Sequence, residues 1–243
     1  MIHERIPRAV APDVAPRHVA IIMDGNRRWA AARGLPALEG HRRGLTALRE
    51  VVAAAAHAGV DVLTAYAFSE ENWSRPRAEI GGLMELATHF ARHEAAALAR
   101  ENVRVRILGR RDRLPLAVAR ALKGMETQTA ACTGLTLNLA VDYSARTELA
   151  DAVRAIAADV LSGALDPLAI DDATIAGRLH TAGQPDPDLL VRTGGELRLS
   201  NFPLYQCAYT ELFSTPVAWP DFDGAAFDAA LATFAARQRR FGR

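Results

Sequence analysis

Short apolar runs alternate along the chain with longer stretches in which leucine, valine and alanine recur at helical spacing. HVAIIM (His18–Met23) is a continuous apolar run that predicts a buried strand, and Asp24-Gly25-Asn26 ends it with a turn signal. Gly40–Ala58 predicts a helix and DVLTAYAF (Asp61–Phe68) a second strand, which runs into the polar stretch Ser69–Pro76. Arg77–Glu101 predicts a long helix with a kink near Gly81-Gly82. Strands at Val103–Gly109, Leu135–Val141 and Asp188–Arg192 then alternate with helices at Leu114–Ala131 and Thr147–Leu161. A sixth apolar segment lies at Ala208–Phe213, and Asp223–Arg240 closes the chain as a helix.

This alternation predicts an α/β fold: a central, mostly parallel sheet flanked by helices on both faces. Ligands of such sheets sit beyond the carboxyl ends of the strands. The polar clusters fall there, since Asp24, Ser69–Arg75, Asp142 and Arg192–Asn201 each follow a predicted strand. Random loop polarity accounts for one or two such clusters; four on one edge indicate a site.

Composition narrows the function classes. The chain has 243 residues, half of them hydrophobic, enough for one catalytic domain over residues 18–243 behind a loose arm at 1–17. Its net charge of +1 and scattered arginines argue against a nucleic-acid surface. Basic residues are nearly all arginine, Lys123 being the only lysine; arginine's fork suits phosphate oxygens, although a GC-rich genome produces the same bias. Two cysteines, Cys132 and Cys207, indicate neither a disulfide framework nor a zinc site and fit a reducing cytoplasm. The first residues have no apolar signal-peptide core, and no apolar run reaches the roughly 20 residues of a membrane span. Any membrane contact is therefore expected to be peripheral, at the inner face of the plasma membrane.

The first cluster, Asp24-Gly25-Asn26-Arg27-Arg28-Trp29, offers a carboxylate for a hard cation such as Mg²⁺, a glycine that lets backbone amides approach an anion, and two guanidinium groups for phosphate. An ordinary Asp-Gly turn with solvated arginines fits the same residues equally well. Ser69 to Pro76 mixes acidic, amide, aromatic and basic groups, and reads either as a binding loop or as a capped lead into the next helix. Arg192-Thr193-Gly194-Gly195-Glu196, with Arg198, Leu199 and Ser200, makes a donor-rich loop able to clasp a diphosphate, or a plain Gly-Gly turn. Glu211 lies in an apolar segment, where a carboxylate is costly unless it is ion-paired or binds metal.

HVAIIMDGNRRWA (His18–Ala30), AYAFSEENWSRP (Ala65–Pro76) and PDPDLLVRTGGELRLSNF (Pro185–Phe202) resemble the successive signature blocks of the cis-prenyltransferases. ELFSTPVAWPDFD (Glu211–Asp223) and RRFGR (Arg239–Arg243) extend the resemblance to the end of the chain. The resemblance implies a hydrophobic tunnel, a homodimer, and condensation of isopentenyl diphosphate with an allylic diphosphate to give a cis-polyprenyl diphosphate. It implies Asp24 as the essential aspartate and Asn72 as the second catalytic residue, in the disputable role of proton acceptor, an amide being a poor base. It places Gly25, Asn26, Arg27, Arg28, Trp29 and His41 at the allylic diphosphate. Ser69, Glu70, Glu71, Trp73 and Arg75 stand in the second block of substrate contacts, and Arg192, Arg198, Leu199 and Ser200 at isopentenyl diphosphate. Glu211 joins Asp24 as a metal ligand, and Arg240-Phe241-Gly242 reaches a neighbouring subunit.

Three departures stand out. Ala37 occupies a position that usually carries arginine, Glu70 replaces serine or threonine, and Asp142-Tyr143-Ser144-Ala145-Arg146 replaces Asn-Tyr-Gly-Gly-Arg. The aspartate-rich DDxxD motif of trans-prenyltransferases is absent, Asp171-Asp172 lacking the third aspartate. Three readings follow: an enzyme making undecaprenyl diphosphate for cell-wall carrier lipid, one making a shorter product, and a non-catalytic partner subunit. Intact Asp24, Asn72 and Arg192 argue against the third.

Overall fold

Among the described residues six strands pair in parallel: β1 (His18–Ile22), β2 (Val62–Ser69), β3 (Arg104–Leu108), β4 (Thr136–Tyr143), β5 (Leu189–Arg192) and β6 (Glu211–Ser214), in the order β3-β4-β2-β1-β5-β6. The computed structural model describes residues 15–237. Every residue of β1 is buried, as its unbroken apolar run requires of a central strand covered on both faces. Register sets Ile22 beside Tyr66 on one side and Arg192 on the other. The chain leaves β1 toward β2 and leaves β5 toward β6, in opposite directions along the sheet. The gap between the ends of β1 and β5 is therefore the switch point where such sheets bind ligands.

The helices are α1 (Asn26–Ala31), α2 (Ala37–Ala58), α3 (Arg77–Arg100), α4 (Leu116–Thr129), α5 (Ala145–Leu161), α6 (Asp172–Ala176) and α7 (Gly224–Ala235). α2 buries Gly40, Gly44, Ala47, Leu48, Val51 and Ala55, a stripe at helical spacing, and stops at Gly59 in the left-handed conformation. Its glycines admit α1: a Cβ on Gly40 would stand 2.1 Å from the Asn26 carbonyl oxygen. The larger core joins Val19, Ile21, Leu63, Leu137 and Leu189 of the sheet to α2, α3, α4 and α7. A smaller cluster on the opposite face gathers Ala20, Ile22, Tyr143, Leu190 and Phe202.

The predicted strands and helices are present within a few residues, with two differences. β6 starts at Glu211 rather than Ala208, and α3 continues as helix through Gly81-Gly82, where Gly82 meets Leu38. The pattern had not marked α1, α6 or the 3₁₀ turns Glu70–Ser74, Pro167–Ala169 and Trp219–Asp221, all too short to show a period. Most of the N-terminal arm, and Arg240-Phe241-Gly242, lie outside the described residues. Arg17, at the arm's end, is tied down through the Asp188 and Asp61 carboxylates.

Candidate active site

Asp24 and Arg192 meet at the switch point. Asp24 follows β1, Arg192 ends β5, and Arg192 Nη2 donates to Asp24 Oδ2 at 2.8 Å. Arg192 Nη1 donates to Ser200 Oγ at 2.8 Å and also to the Arg198 carbonyl. The other Asp24 oxygen accepts from the Gly25 amide at 2.7 Å and lies 3.5 Å from Arg28. Partial burial works to raise the Asp24 pKa, but bonds from Arg192 and Gly25, with the charges of Arg192 and Arg28, outweigh it and hold the carboxyl below its usual value. Gly25 has φ 106°, and a Cβ there would stand 2.9 Å from Ala218; glycine makes this turn feasible. Gly194 likewise leaves room for Arg28 Nη2, 2.7 Å from where its Cβ would be.

The second cluster forms the other lip. Residues 70–74 make a 3₁₀ turn closed by a capping box between Ser69 and Asn72. Three residues per turn place positions 70 and 73 on one face and 69, 72 and 75 on another. Ser69, Asn72 and Arg75 accordingly line the cavity with Glu71, while Glu70 and Trp73 do not. Glu79, in the first turn of α3, draws Arg75 to 3.1 Å and Arg27 to 3.8 Å, and lies 4.0 Å from the His41 ring. Burial, reinforced by the charges of Arg75 and Arg27 against that of Glu79, lowers the His41 pKa to about 4, so the imidazole is neutral at pH 7.

Behind these lips lies a cavity of about 1120 Å³, above the roughly 300–1,000 Å³ of ordinary small-molecule pockets. Its walls are apolar: Leu45 and Leu48 of α2, Leu83 and Phe90 of α3, Leu139 of the sheet and Leu122 of α4. α2 and α3 thus supply much of the apolar wall. Among the described residues, four buried side-chain nitrogen or oxygen atoms have no hydrogen-bond partner, and three of them, Asn26 Oδ1, His41 Nε2 and Arg192 Nε, belong to residues lining this cavity. Unpaired buried polar atoms are costly, and their concentration at one opening is what a polar ligand would relieve.

The structure thus brings Asp24, Gly25, Asn26, Arg27, Arg28, His41, Ser69, Glu71, Asn72, Arg75, Arg192 and Ser200 to one cavity. Six expected residues stand elsewhere. Trp29 donates to Asp221 at 2.7 Å beneath Arg33, on the outside of α1. Trp73 packs on Phe68 and donates to Asp142 at 2.7 Å. Glu70 accepts from Thr147 at 2.7 Å and faces Arg113. Leu199 packs against the smaller core, and the exposed Arg198 side chain pairs with Glu196 at 2.6 Å.

Glu211 is the largest correction. It is in register with Leu189, and through Leu189 with Val19, at the opposite end of the sheet from Asp24. Its carboxylate accepts from Arg237 at 2.8 Å. Within one chain the two carboxylates share no metal site. Because β6 begins at Glu211, the residue sits at a half-exposed strand start rather than inside an apolar run, and no burial cost demands a metal.

Residues not selected from the sequence also belong here. Tyr66 lines the cavity and stacks on Phe202 with ring centroids 4.3 Å apart. Asn201, left-handed like Ser200, donates to Glu71 at 3.0 Å and to Ser144 at 2.7 Å, joining two lips. Its signal was its place in the Arg192–Phe202 block; that of Glu79 was its i+4 spacing from Arg75.

The sequence model of the family described as "Putative undecaprenyl diphosphate synthase" matches residues 22–242. The isoprenyl transferase 2 of Bradyrhizobium diazoefficiens is 50% identical over 244 aligned residues, covering 100% of this chain and 97% of the relative. The isoprenyl transferase of Brucella abortus is 52% identical over 227 residues, 93% of this chain and 89% of the relative. Among solved structures, lavandulyl diphosphate synthase from Lavandula x intermedia, in complex with dimethylallyl diphosphate, superposes with a TM-score of 0.93 at 38% identity, covering 95% of this chain and 100% of that one. A "probable undecaprenyl diphosphate synthase" from Campylobacter jejuni gives 0.78 at 29% identity, covering 94% and 99%.

Proposed function

The chain belongs to the undecaprenyl diphosphate synthase family and is a cis-prenyltransferase, and from that premise we propose that it condenses isopentenyl diphosphate with an allylic diphosphate, farnesyl diphosphate foremost, into a cis-polyprenyl diphosphate serving as cell-wall carrier lipid. The observation that carries this reading is the cavity's two-part chemistry: an arginine-rich mouth with unpaired buried polar atoms, opening into an apolar bore between α2 and α3. A diphosphate fits the first part and a prenyl chain the second. A shorter product is the second reading, favoured by the 0.93 TM-score to lavandulyl diphosphate synthase.

The Gly25 turn, Arg27, Arg28 and neutral His41 hold the allylic diphosphate, with Asp24 beside it. Arg192 and Ser200 hold isopentenyl diphosphate, and Arg198, on leaving Glu196, covers it. The C1–O bond of the allylic substrate breaks, the terminal alkene carbon of isopentenyl diphosphate bonds to that C1, and a proton leaves C2 of the isopentenyl unit to make the cis alkene. Arginines that meet charge as it develops lower this barrier. Asn72 orients; its Oδ1 already accepts from the Ser69 amide at 3.2 Å. For Glu71, partial burial acts to raise the pKa, but bonds led by that from Asn201 hold it below its usual value, and Asp24 is held low as well. Neither is a strong base, so the proton passes to an oxygen of the departing diphosphate.

Magnesium usually takes one or two carboxylates together with substrate phosphates, and Asp24, part-exposed at the mouth, fits that pattern without Glu211. Bound there with the diphosphates, it would neutralise leaving-group charge.

We place the catalytic unit at residues 18–243 of a cytoplasmic homodimer. Exposed Leu197, Tyr209, Leu212 and Val217, on or beside edge strand β6, support a second copy. No described helix is long and apolar enough to cross a membrane, and peripheral contact would serve release of a long product. Incubation with labelled isopentenyl diphosphate and starters of five, ten and fifteen carbons, with and without chelator, tests the proposal by product mass. No chain growth on any starter refutes it.

A further inference from the structure

Two of the sequence departures converge on one arginine. Arg113, in the loop between β3 and α4, donates Nε to Asp142 Oδ2 at 2.9 Å and Nη2 to Asp142 Oδ1. The same Nη2 lies 3.2 Å from Glu70 Oε1. Asp142 is fully buried at the end of β4, with φ 50°, and its Oδ1 also accepts from Trp73 Nε1 at 2.7 Å. The Arg113 guanidinium stands 5.9 Å from the Trp73 ring centroid, and Thr147 donates to the second Glu70 oxygen at 2.7 Å. Glu70 and Trp73 are thus both held, and neither lines the cavity, unlike Glu71 and Asn72 of the same turn.

We propose that Arg113, clamped on Asp142 and Glu70, is a positioning residue that pins the outer face of the 70–74 turn and so sets where Ser69, Asn72 and Arg75 stand in the cavity. Arg113 does not line the cavity. The physical case has three parts. A two-pronged arginine–carboxylate contact restricts orientation as well as distance. Asp142 is fully buried, and removing one partner of a buried ion pair is strongly destabilising. A five-residue 3₁₀ turn has poor internal hydrogen bonding and depends on outside contacts for its shape. Displacing a positioning group by about 1 Å costs on the order of a hundredfold in rate, so pinning from outside is a lever on turnover. The inference rests on the condensation proposed above.

The test compares wild type, Glu70→Gln, and the double variant Arg113→Met/Asp142→Asn, which removes the fully buried Asp142 charge together with its partner and leaves Glu70, 20% exposed, with its Thr147 donor. Two readouts are taken: amide hydrogen exchange across the turn, which needs no turnover, and steady-state kinetics for each substrate. In the double variant, exchange at residues 70–74 is expected to rise about tenfold or more, while amides of β1 and β5 stay within about twofold. kcat is expected to fall about tenfold or more, with both KM values within about threefold. Glu70→Gln should show the same pattern at smaller size. Unchanged exchange at 70–74 overturns the pin. Raised exchange with wild-type kcat overturns the positioning role and leaves a structural brace. A wild-type chain without condensation overturns the functional reading, and the exchange readout still decides whether Arg113 holds the turn.

Discussion

Replacing Asp24 by asparagine separates the chemistry of the mouth from its architecture. Asparagine has the same shape but a single acceptor oxygen, so it can keep the Arg192 bond, now at 2.8 Å, only by turning its NH2 toward the Gly25 amide, which now bonds at 2.7 Å. The charge goes, and one of the two acceptors with it. A hydrogen bond to a charged group contributes about 1.5–3 kcal/mol and a neutral one about 0.5–1.5, so weakening one bond and losing the other should cost about 2–3 kcal/mol of stability. Arg192 is only 5% exposed, but Ser200 and the Arg198 carbonyl remain as acceptors, which keeps the cost below the roughly 3–5 kcal/mol of an orphaned buried charge. Against a total of about 5–15 kcal/mol the protein stays folded. Turnover should fall by more. Losing the carboxylate that would hold magnesium on the leaving diphosphate should cost about 3–4 kcal/mol of transition-state stabilisation, roughly two to three orders of magnitude in rate. Single-turnover condensation gives the second quantity and urea unfolding the first. A rate within about threefold of wild type would refute the reasoning, and a variant that is unfolded at the outset would make Asp24 a turn-former instead.

Arg192→Ala should weaken isopentenyl diphosphate by about ten- to a hundredfold, the loss of a charge-assisted bond, whereas exposed Arg198→Ala should weaken it by about two- to fivefold; separate Michaelis constants for the two substrates check the order. Ala87→Phe, which fills the bore from α3, should shorten the product without abolishing the first condensation, and unaltered product masses would contradict it. Stability should fall with acidification. Burial lowers the pKa of His18, and burial with the charges of Arg75 and Arg27 that of His41, each to about 4 in the folded chain. Both are neutral when folded and take up protons more readily when unfolded, so their contribution is complete above about pH 6.5 and is lost as pH falls toward 4, by up to about 3 kcal/mol each. Urea midpoints across that window measure it, and a flat profile would contradict both assignments.

Much of this was legible in the chain because the signals are local. β1 announces itself by an unbroken apolar run and Asp24 by ending it, and the alternation of periods makes the sheet parallel, which in turn assembles the mouth. What stayed hidden depends on boundaries and on partners distant in sequence. A three-residue shift in the start of β6 moves Glu211 from strand interior to strand edge and removes the reason to give it a metal. Polarity alone cannot tell Ser69 and Asn72 from Glu70 and Trp73; the 3₁₀ turn does, by facing one pair inward and the other outward. Arg113 looks like one more loop arginine until the fold carries it to Asp142, 29 positions away. Asn201 needs a left-handed backbone at two successive residues to reach Glu71, a geometry that its composition does not advertise.

The central claim is that one cavity takes a diphosphate at the Asp24–Arg192 mouth and a hydrocarbon chain between α2 and α3. A crystal structure with a non-hydrolysable thiolodiphosphate analogue of farnesyl diphosphate tests it most directly. The account predicts density for the diphosphate among the Gly25 amide, Arg28 and His41, with the chain running past Leu45 and Leu83 toward Leu122. A diphosphate bound elsewhere, or a chain lying outside this cavity, would contradict it.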